Sequence, residues 1–186
     1  MIRECIITTI NAAGNPQIAP LGLIEDGEGW IIAPFRPSVT LDNLTAVPHA
    51  IANFVVDARV FAGCLTGRKD WPLVATRGPV PRLAAALSHA ALNVSKVVEH
   101  KQRPHFHCRV GDVEIHGAFP GYNRAQNAVL ECAILVSRLH MLPREKVTAE
   151  LAYLEIAVSK TAGPDETEAW GWLMERVNAF YAAAKG

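Results

Sequence analysis

The sequence has no surplus of charge of either sign. Its 186 residues contain 18 lysines and arginines against 18 aspartates and glutamates, with no long run of either kind. Because proteins that bind nucleic acid usually carry a basic surplus to neutralise phosphates, this balance argues against a nucleic-acid partner. It also gives little attraction to an anionic membrane surface, although a local site for one small anion is still possible.

Long apolar runs and paired cysteines are also missing. No uncharged stretch approaches the roughly 18 apolar residues of a membrane span, and the N-terminus, with Glu4, lacks the apolar run of a signal peptide. The sequence therefore predicts a cytoplasmic protein without a membrane partner. No two cysteines form a CxxC pair, and all lie among apolar neighbours, which predicts reduced thiols that fill the core. They are Cys5, Cys64, Cys108 and Cys132.

Several common catalytic motifs do not occur. The sequence contains no GxSxG, HExxH, GxxxxGK[ST] or GxGxxG. It therefore gives no support to a serine hydrolase of that type, a zinc protease, a P-loop nucleotide site or a dinucleotide fingerprint.

The first half of the chain has the pattern of antiparallel strands. Isoleucine and threonine dominate residues 2–10, an Asn-Ala-Ala-Gly-Asn turn follows, and residues 17–24 resume the extended pattern, which predicts a hairpin. Further strands are expected at residues 29–35, 50–56, 82–100 and 105–116. Short helical segments are expected at 38–44 and 58–65, with a loop at 67–81.

From Tyr122 onward the pattern is helical. Three helices are expected, at residues 122–141, from Pro143 to about Lys160, and from Pro164 to about Ala184. The chain thus predicts an α+β fold, mainly β: an antiparallel barrel of about six strands over residues 1–120. A helical region over residues 121–186 is expected to pack on it.

The segment after the third strand is a candidate anion site. Arg36, Ser38, Thr40 and Asn43 fall close together where a helix begins. A guanidinium, two hydroxyls and the N–H groups of a helix start can together hold a phosphate. The alternative is that Ser38 and Thr40 only cap the helix while Arg36 is solvated.

The tetrapeptide Ala19-Pro20-Leu21-Gly22 is a second candidate feature. Pro20 has no backbone donor and therefore suits a strand edge or bulge. Gly22 has no side chain and would let a flat ring, such as a flavin, approach the backbone. The alternative is an ordinary irregularity of the strand.

Four blocks of sequence, taken together, indicate similarity to a known protein family. In order, they are TTINAAGNPQIAPLG, APFRPSVTLDNL, AIANFVVDARVFA and GYNRAQNAVLECAILVSRLHMLP. In combination they resemble a family of FMN-binding split-barrel proteins, catalogued as a domain of unknown function, with relatives in methanogens and tetrahydromethanopterin-using methylotrophs. The likeness covers about residues 3–142.

The resemblance implies a fold, a cofactor and a partner. It implies a six-stranded antiparallel split β-barrel with a C-terminal three-helix appendage, a homodimer, and FMN in a groove between the subunits. Residues 1–120 would bind FMN, and residues 121–186 would contribute to the dimer interface. The isoalloxazine would lie against Ala19, Pro20, Leu21 and Gly22. The phosphate would be held by Arg36, Ser38, Thr40 and Asn43, and Asn53 would help to order the site.

Polar residues on the first C-terminal helix permit two interpretations. Arg124, Glu131 and Arg138 recur every seven residues and so share one side of the helix. They predict an ion-pair network or a seam between subunits. Alternatively, Arg124 or Asn127 reaches a ligand.

Several histidines could form a metal site, and Trp71 could contact a flavin ring. His105 and His107 share one face of a strand, and His100 and His116 could face them. No cysteine or carboxylate lies at a characteristic spacing, so we expect no metal site, with a site on His105 and His107 as the alternative. Trp71, in the proline-rich loop, is the tryptophan that could approach a flavin.

These features favour an FMN-dependent oxidoreductase acting on a small organic molecule. The setting of the similar proteins suggests a pterin or one-carbon compound. Two alternatives are a non-catalytic flavin-binding or electron-shuttling module and a structural barrel without a ligand.

Overall fold

A computed structural model describes residues 1–183. The chain forms two compact units: residues 1–55 with 71–119, and residues 56–70 with the chain from Pro120 onward. The strands are β1 (Ile2–Ile10), β2 (Pro16–Asp26), β3 (Gly29–Ile32), β4 (His49–Phe54), β5 (Leu73–Val74), β6 (Arg82–Leu83), β7 (Ser88–Val98) and β8 (His105–Ile115). The helices are α1 (Val39–Ala46), α2 (Ala58–Leu65), α3 (Arg124–Ser137), α4 (Arg144–Thr161) and α5 (Pro164–Ala183). The expected end of the last helix, Ala184, lies outside the described residues.

The first unit is a closed six-stranded barrel. Its strands follow the order β1-β2-β3-β8-β7-β4, and β4 pairs back onto β1. The β1–β2 turn is closed by Asn11, whose side-chain oxygen accepts hydrogen bonds from the N–H groups of Ala13 and Asn15. The prediction of a six-stranded antiparallel barrel within an α+β fold is confirmed.

Small and branched apolar side chains fill the barrel. The core includes Cys5, Ile7, Leu23, Ile32, Leu92 and Phe106. Leu41 and Leu44 of α1 belong to the same cluster, so that helix packs against the barrel interior. Burial raises the pKa of the Cys108 thiol to about 12, which keeps it neutral, and all four cysteines are free thiols.

A covering segment, residues 71–87, lies over part of the outer barrel surface. Val80 packs against Ile10 and Ile51. The N–H of Leu83 donates to Oδ1 of Asn53 at 2.7 Å. The covering segment is thereby anchored to β4.

Three segments of the barrel unit differ in kind or extent from the sequence-based expectation. The strand predicted at 82–100 is divided, because Leu83 bonds to Asn53 and β7 begins only at Ser88. The loop predicted at 67–81 contains β5, which pairs with β6. The strand predicted at 29–35 ends at Ile32, because Pro34 has no backbone donor to continue the ladder.

The second unit is helical, with α3 packed against α2, α4 and α5. The side chains of Arg124, Glu131 and Arg138 are exposed, and none of them takes part in the ion pairs formed among residues 1–183. The expected ion-pair network is therefore wrong, because charges in contact with water need no partner. The subunit seam stays a prediction. None of the helices in the described part of the chain is both long and apolar enough to cross a membrane.

A buried carboxylate, Glu166, caps the start of α5. Glu166 accepts hydrogen bonds from the N–H of Gly163 at 2.8 Å and from the side chain of Gln126 at 3.0 Å. Burial opposes the charge of Glu166, but these hydrogen bonds outweigh it and lower the pKa of the carboxyl. Because the pKa is lowered on folding, the carboxylate stabilises the protein above the ordinary carboxyl range, and this contribution is lost as pH falls through the folded value.

We predict that Glu166→Gln lowers the free energy of unfolding by about 1–3 kcal/mol at neutral pH. The difference in the free energy of unfolding between the variant and the wild type should become smaller in acid, where the wild-type carboxylate becomes protonated. Urea unfolding measured at several pH values checks this, with the exposed Glu168→Gln as the matched control. An equal loss in both variants, or a gap independent of pH, would contradict the assignment.

Candidate functional site

The loop between β3 and α1, residues 33–38, is fixed to the β7–β8 turn. The N–H of Arg36 donates to the carbonyl of Gln102 at 2.9 Å. The Nε of Arg103 donates to the carbonyl of Ala33 at 2.9 Å, and its guanidinium lies 4.5 Å from the centre of the Phe35 ring. Contacts at three successive points hold the loop in one conformation, so the position of Arg36 is set by the barrel.

The guanidinium of Arg36 is exposed and has an acidic neighbour. One of its terminal nitrogens lies 2.7 Å from a carboxylate oxygen of Glu99, and both side chains are in contact with water. Exposed ion pairs of this kind contribute little to stability. The pair is therefore a weak internal contact that an anion with more charge can replace.

The start of α1 offers backbone donors beside Arg36. The hydroxyl of Ser38 accepts a hydrogen bond from the N–H of Leu41 at 3.2 Å, so the capping role considered for Ser38 is observed. The N–H groups of Val39 and Thr40 have no partner among the described residues. Unpaired donors at the positive end of a helix favour an anion.

The two asparagines of the predicted site face the protein interior. The amide of Asn43 donates to the hydroxyl of Thr9 at 3.0 Å and so joins α1 to β1. The amide of Asn53 donates to the carbonyl of Ile6 and to the hydroxyl of Thr8, both at 2.9 Å. Both asparagines are buried, and in this structure their amides join elements of the barrel unit to one another. Their direct role toward a ligand stays a prediction.

The segment Ala19–Gly22 lies in the part of β2 that β3 does not reach. These residues pair with β1, while β3 pairs with β2 only from Ile24 to Asp26. Residues 16–23 therefore have a second edge without a strand partner in the described chain. A Cβ added to Gly22 would lie 2.6 Å from Cγ2 of the exposed Ile2, so a larger residue here would require the Ile2 side chain to move.

A groove of about 670 Å³ runs between α1 and the β7–β8 hairpin. Arg36 and Glu99 lie at its border, and Asp42 adds a second carboxylate. Its apolar surface comes from Leu41, Leu44, Val94, Val97, Pro104 and Phe106. The groove combines an apolar wall with one cation and two carboxylates, so it suits a ligand with a large apolar surface, and only the part next to Arg36 favours an anion. The residues Ala19–Gly22 are not part of its lining.

The histidines are arranged differently from the sequence-based alternative. His107 bonds to the carboxylate of Asp26 at 2.6 Å, and His105 stacks on His100. In contrast, Nδ1 of His89 lies 2.8 Å from Nε2 of His116, with Glu114 beside them. Burial, and next the proximity of His116, lower the pKa of His89.

The remaining candidates lie on the surface. Trp71 is half-buried, and its proximity to a flavin stays a prediction. Arg124 and Asn127 line a separate groove of about 260 Å³ between α3 and α4, with Tyr153 and Ile156 on its other side. Sequence reasoning missed Glu99, since only folding brings it to Arg36.

Two family descriptions match the chain. Residues 3–117 match "Protein of unknown function (DUF447) N-terminal domain", and residues 123–175 match "Protein of unknown function (DUF447)". A comparison with curated proteins found no match.

Solved structures share the fold. The FMN-bound DUF447 protein MM1853 from Methanosarcina mazei is similar, with a TM-score of 0.81 and 22% identity over 94% of each chain. The 2-nitrobenzoate 2-nitroreductase NbaA of Pseudomonas fluorescens has a TM-score of 0.51 and 20% identity, over 61% of this chain and 64% of that one. An FMN-binding protein from Thermus thermophilus, solved with p-hydroxybenzaldehyde, has a TM-score of 0.53 and 14% identity, over 61% of this chain and 71% of that one.

The family matches cover the barrel and most of the helical part of the chain, and the similarity to MM1853 extends over both. The chain therefore belongs to the DUF447 family.

Proposed function

We propose that this protein is an FMN-binding flavoprotein that works as an oxidoreductase on a small organic substrate. The observation that supports it most is the corner at the start of α1. There the exposed Arg36, whose backbone is fixed to the β7–β8 turn, precedes the unpaired N–H groups of Val39 and Thr40. Family membership with the FMN-bound MM1853 provides the second support.

The residues of this corner fit a phosphate monoester. Arg36 would contribute a forked, permanently charged donor, and Val39 and Thr40 would contribute backbone donors aligned with the helix dipole. Binding requires Arg36 to leave Glu99. That exchange is inexpensive, because an exposed ion pair is worth about 0–1 kcal/mol and the phosphate carries more charge than one carboxylate. Ser38 keeps the helix start in place by holding the N–H of Leu41.

The ring site would use the open edge of β2. Backbone groups along Ala19–Gly22 can face the polar edge of an isoalloxazine, since that edge of the strand has no partner within residues 1–183. Ala19–Gly22 do not line the groove next to Arg36. A homodimer, with FMN between the subunits, would let one chain bind the phosphate while the other contributes to the ring surface.

FMN, when bound, supplies hydride or electron transfer at its ring, so the protein needs no nucleophile of its own. The chain's residues would bind the phosphate, orient the ring and select the substrate. Relatives of this fold include a nitroreductase, but a fold shared at low identity does not select a reaction. A pterin or one-carbon compound is the substrate class we propose to test first.

Flavin binding is tested by comparing FMN with riboflavin, which lacks only the phosphate. We expect FMN to bind at least about tenfold more tightly, because charge-assisted hydrogen bonds are worth about 1.5–3 kcal/mol. Quenching of flavin fluorescence on titration of the purified, flavin-free protein gives both dissociation constants. Equal affinities would contradict the phosphate site, and the absence of binding would favour the ligand-free structural barrel.

Catalysis is tested on the flavin-loaded protein. The flavin is reduced under anaerobic conditions, and its re-oxidation is followed by stopped flow with a nitroaromatic compound, a quinone and an oxidised pterin in turn. If the protein is an oxidoreductase, one acceptor should re-oxidise its bound flavin much faster than that acceptor re-oxidises free reduced FMN. Rates equal to those of free FMN with every acceptor would favour a flavin-binding module without catalysis.

A further inference from the structure

A cluster of three metal-ligating side chains lies away from the α1 corner, on the β7–β8 hairpin. His89, Glu114 and His116 each offer one ligand atom, and these atoms all lie within 4.8 Å of one another. The closest pair is Nδ1 of His89 and Nε2 of His116, at 2.8 Å. The proposed FMN site does not use any of the three.

The register of the hairpin produces this convergence. His89 of β7 lies directly opposite Glu114 of β8, so their side chains emerge on the same face of the ladder. His116 follows Glu114 by two positions and therefore lies on that face too. The N–H of His116 donates to the carbonyl of Leu87 at 2.7 Å, which keeps the chain paired beyond the end of β8. Backbone hydrogen bonds thus fix the positions of these three residues, and their side chains lie on one face of the hairpin.

The two imidazole rings face each other, each through one ring nitrogen. Their planes differ by 6° and their centres are 5.0 Å apart, so the rings are nearly coplanar and joined by an N–H···N hydrogen bond. Such a bond requires at least one unprotonated ring nitrogen, and an unprotonated nitrogen is the form that binds a metal. A zinc ion with bonds of about 2.0–2.1 Å needs the two nitrogens about 3.3 Å apart. Metal binding would therefore require the pair to open by about half an ångström and both rings to rotate, so that each nitrogen lone pair points at the metal and not at the other ring.

Burial differs among the three residues in a way that suits a binding site. His89 is only 2% exposed, so its ring is positioned by its surroundings. Glu114 is half-buried and His116 is exposed, which leaves one side of the cluster open to water. The contact that competes for Glu114 is a 3.8 Å ion pair with the exposed Arg77, a weak restraint.

We propose that His89, Glu114 and His116 bind a divalent transition-metal ion of the zinc type, with a fourth position open to water or a substrate. Two imidazoles and one carboxylate form a donor set that zinc accepts, and three protein ligands plus one open position are typical of zinc sites that do chemistry. This proposal is independent of FMN, since it concerns a different set of residues.

The test uses cobalt(II), which reports its coordination through visible d–d absorption, followed by displacement with zinc. The full-length protein, with its thiols reduced, should bind one cobalt ion per chain and give the intense bands of a four- or five-coordinate site. Removing one ligand should weaken binding at least about 100-fold, because second-shell changes alone cost about 10- to 100-fold. The variants are Glu114→Gln and His116→Ala, which alter residues in contact with water and leave the buried His89 in place.

A matched control separates this site from adventitious binding. His107→Ala removes another hairpin histidine, one paired with Asp26, and should leave cobalt affinity unchanged. Unchanged affinity in both ligand variants, the absence of d–d bands in the wild type, or loss of binding in His107→Ala would each overturn the proposal. Cobalt–thiolate charge-transfer absorption would place the metal on a cysteine, such as the half-buried Cys64, and would also overturn it.

Discussion

Replacing Arg36 by alanine is expected to raise the dissociation constant for FMN by about 10- to 100-fold. The variant loses the charged fork proposed to hold the phosphate, and charge-assisted hydrogen bonds contribute about 1.5–3 kcal/mol. The dissociation constant for riboflavin should hardly change, because riboflavin carries no phosphate. Stability should also be preserved, since Arg36 is exposed and its backbone bond to Gln102 does not require the side chain. Fluorescence titration with both flavins measures the effect.

The ion pair with Glu99 gives a variant with the opposite expected effect. Glu99→Gln removes the carboxylate that competes for the guanidinium, so FMN should bind more tightly, by up to about fivefold for a surface pair worth less than 1 kcal/mol. Arg109→Ala, which removes an exposed arginine from β8, serves as the charge-matched control for Arg36→Ala. If Arg109→Ala weakens FMN as much as Arg36→Ala does, the effect is one of net charge, and the α1 corner is not the phosphate site.

Replacing Asn53 by alanine is expected to lower the free energy of unfolding by about 3–5 kcal/mol. The buried amide links three parts of the barrel, since it donates to Ile6 and Thr8 of β1 from its position on β4 and accepts from Leu83 of the covering segment. Each buried group left without a partner costs about 1–3 kcal/mol, and several are lost at once. Urea unfolding of the flavin-free protein measures the change.

Asn93→Ala is the control for this effect. Asn93 lies on β7 and bonds to His49 at 2.8 Å on the exposed surface, so water can replace its partner and the loss should stay below about 1 kcal/mol. Hydrogen exchange at the N–H of Leu83 gives a local readout, which should accelerate in Asn53→Ala only. A loss below about 1 kcal/mol in Asn53→Ala would show that Asn53 does not anchor the covering segment.

The patterns in the sequence predicted most of the barrel strands and all five helices. The segment rich in isoleucine and threonine became β1, and Pro164 opened α5, because these preferences act between close neighbours in the chain. The division of the strand expected at 82–100 could not be predicted in the same way. It depends on Asn53 accepting a hydrogen bond from Leu83, a contact across thirty residues of chain.

The histidines show how register limits such predictions. His100 and His116 were considered as possible neighbours of His105 and His107. His100 does stack on His105, but His116 lies at the other end of the hairpin, beside His89, and the ladder places Lys96 opposite His107. Because side chains alternate between the two faces of a strand, a small error in register exchanges the residues that share a face. If the hairpin turn is centred near Gln102, counting residues back along both strands places His89 opposite Glu114. The sequence of the hairpin therefore contained the information needed to predict that cluster.

By itself the sequence determined the local structure and the chemical character of the candidate site. The short segment from Arg36 to Thr40 carries a charge, a capping hydroxyl and a helix start, all defined by neighbours in the chain. Only the tertiary structure decided which of these groups are available. Folding paired Arg36 with Glu99, turned Asn43 and Asn53 inward, and joined His89 to His116. Such contacts depend on strand register and barrel closure, which arise from burying the whole core at once and not from any single segment.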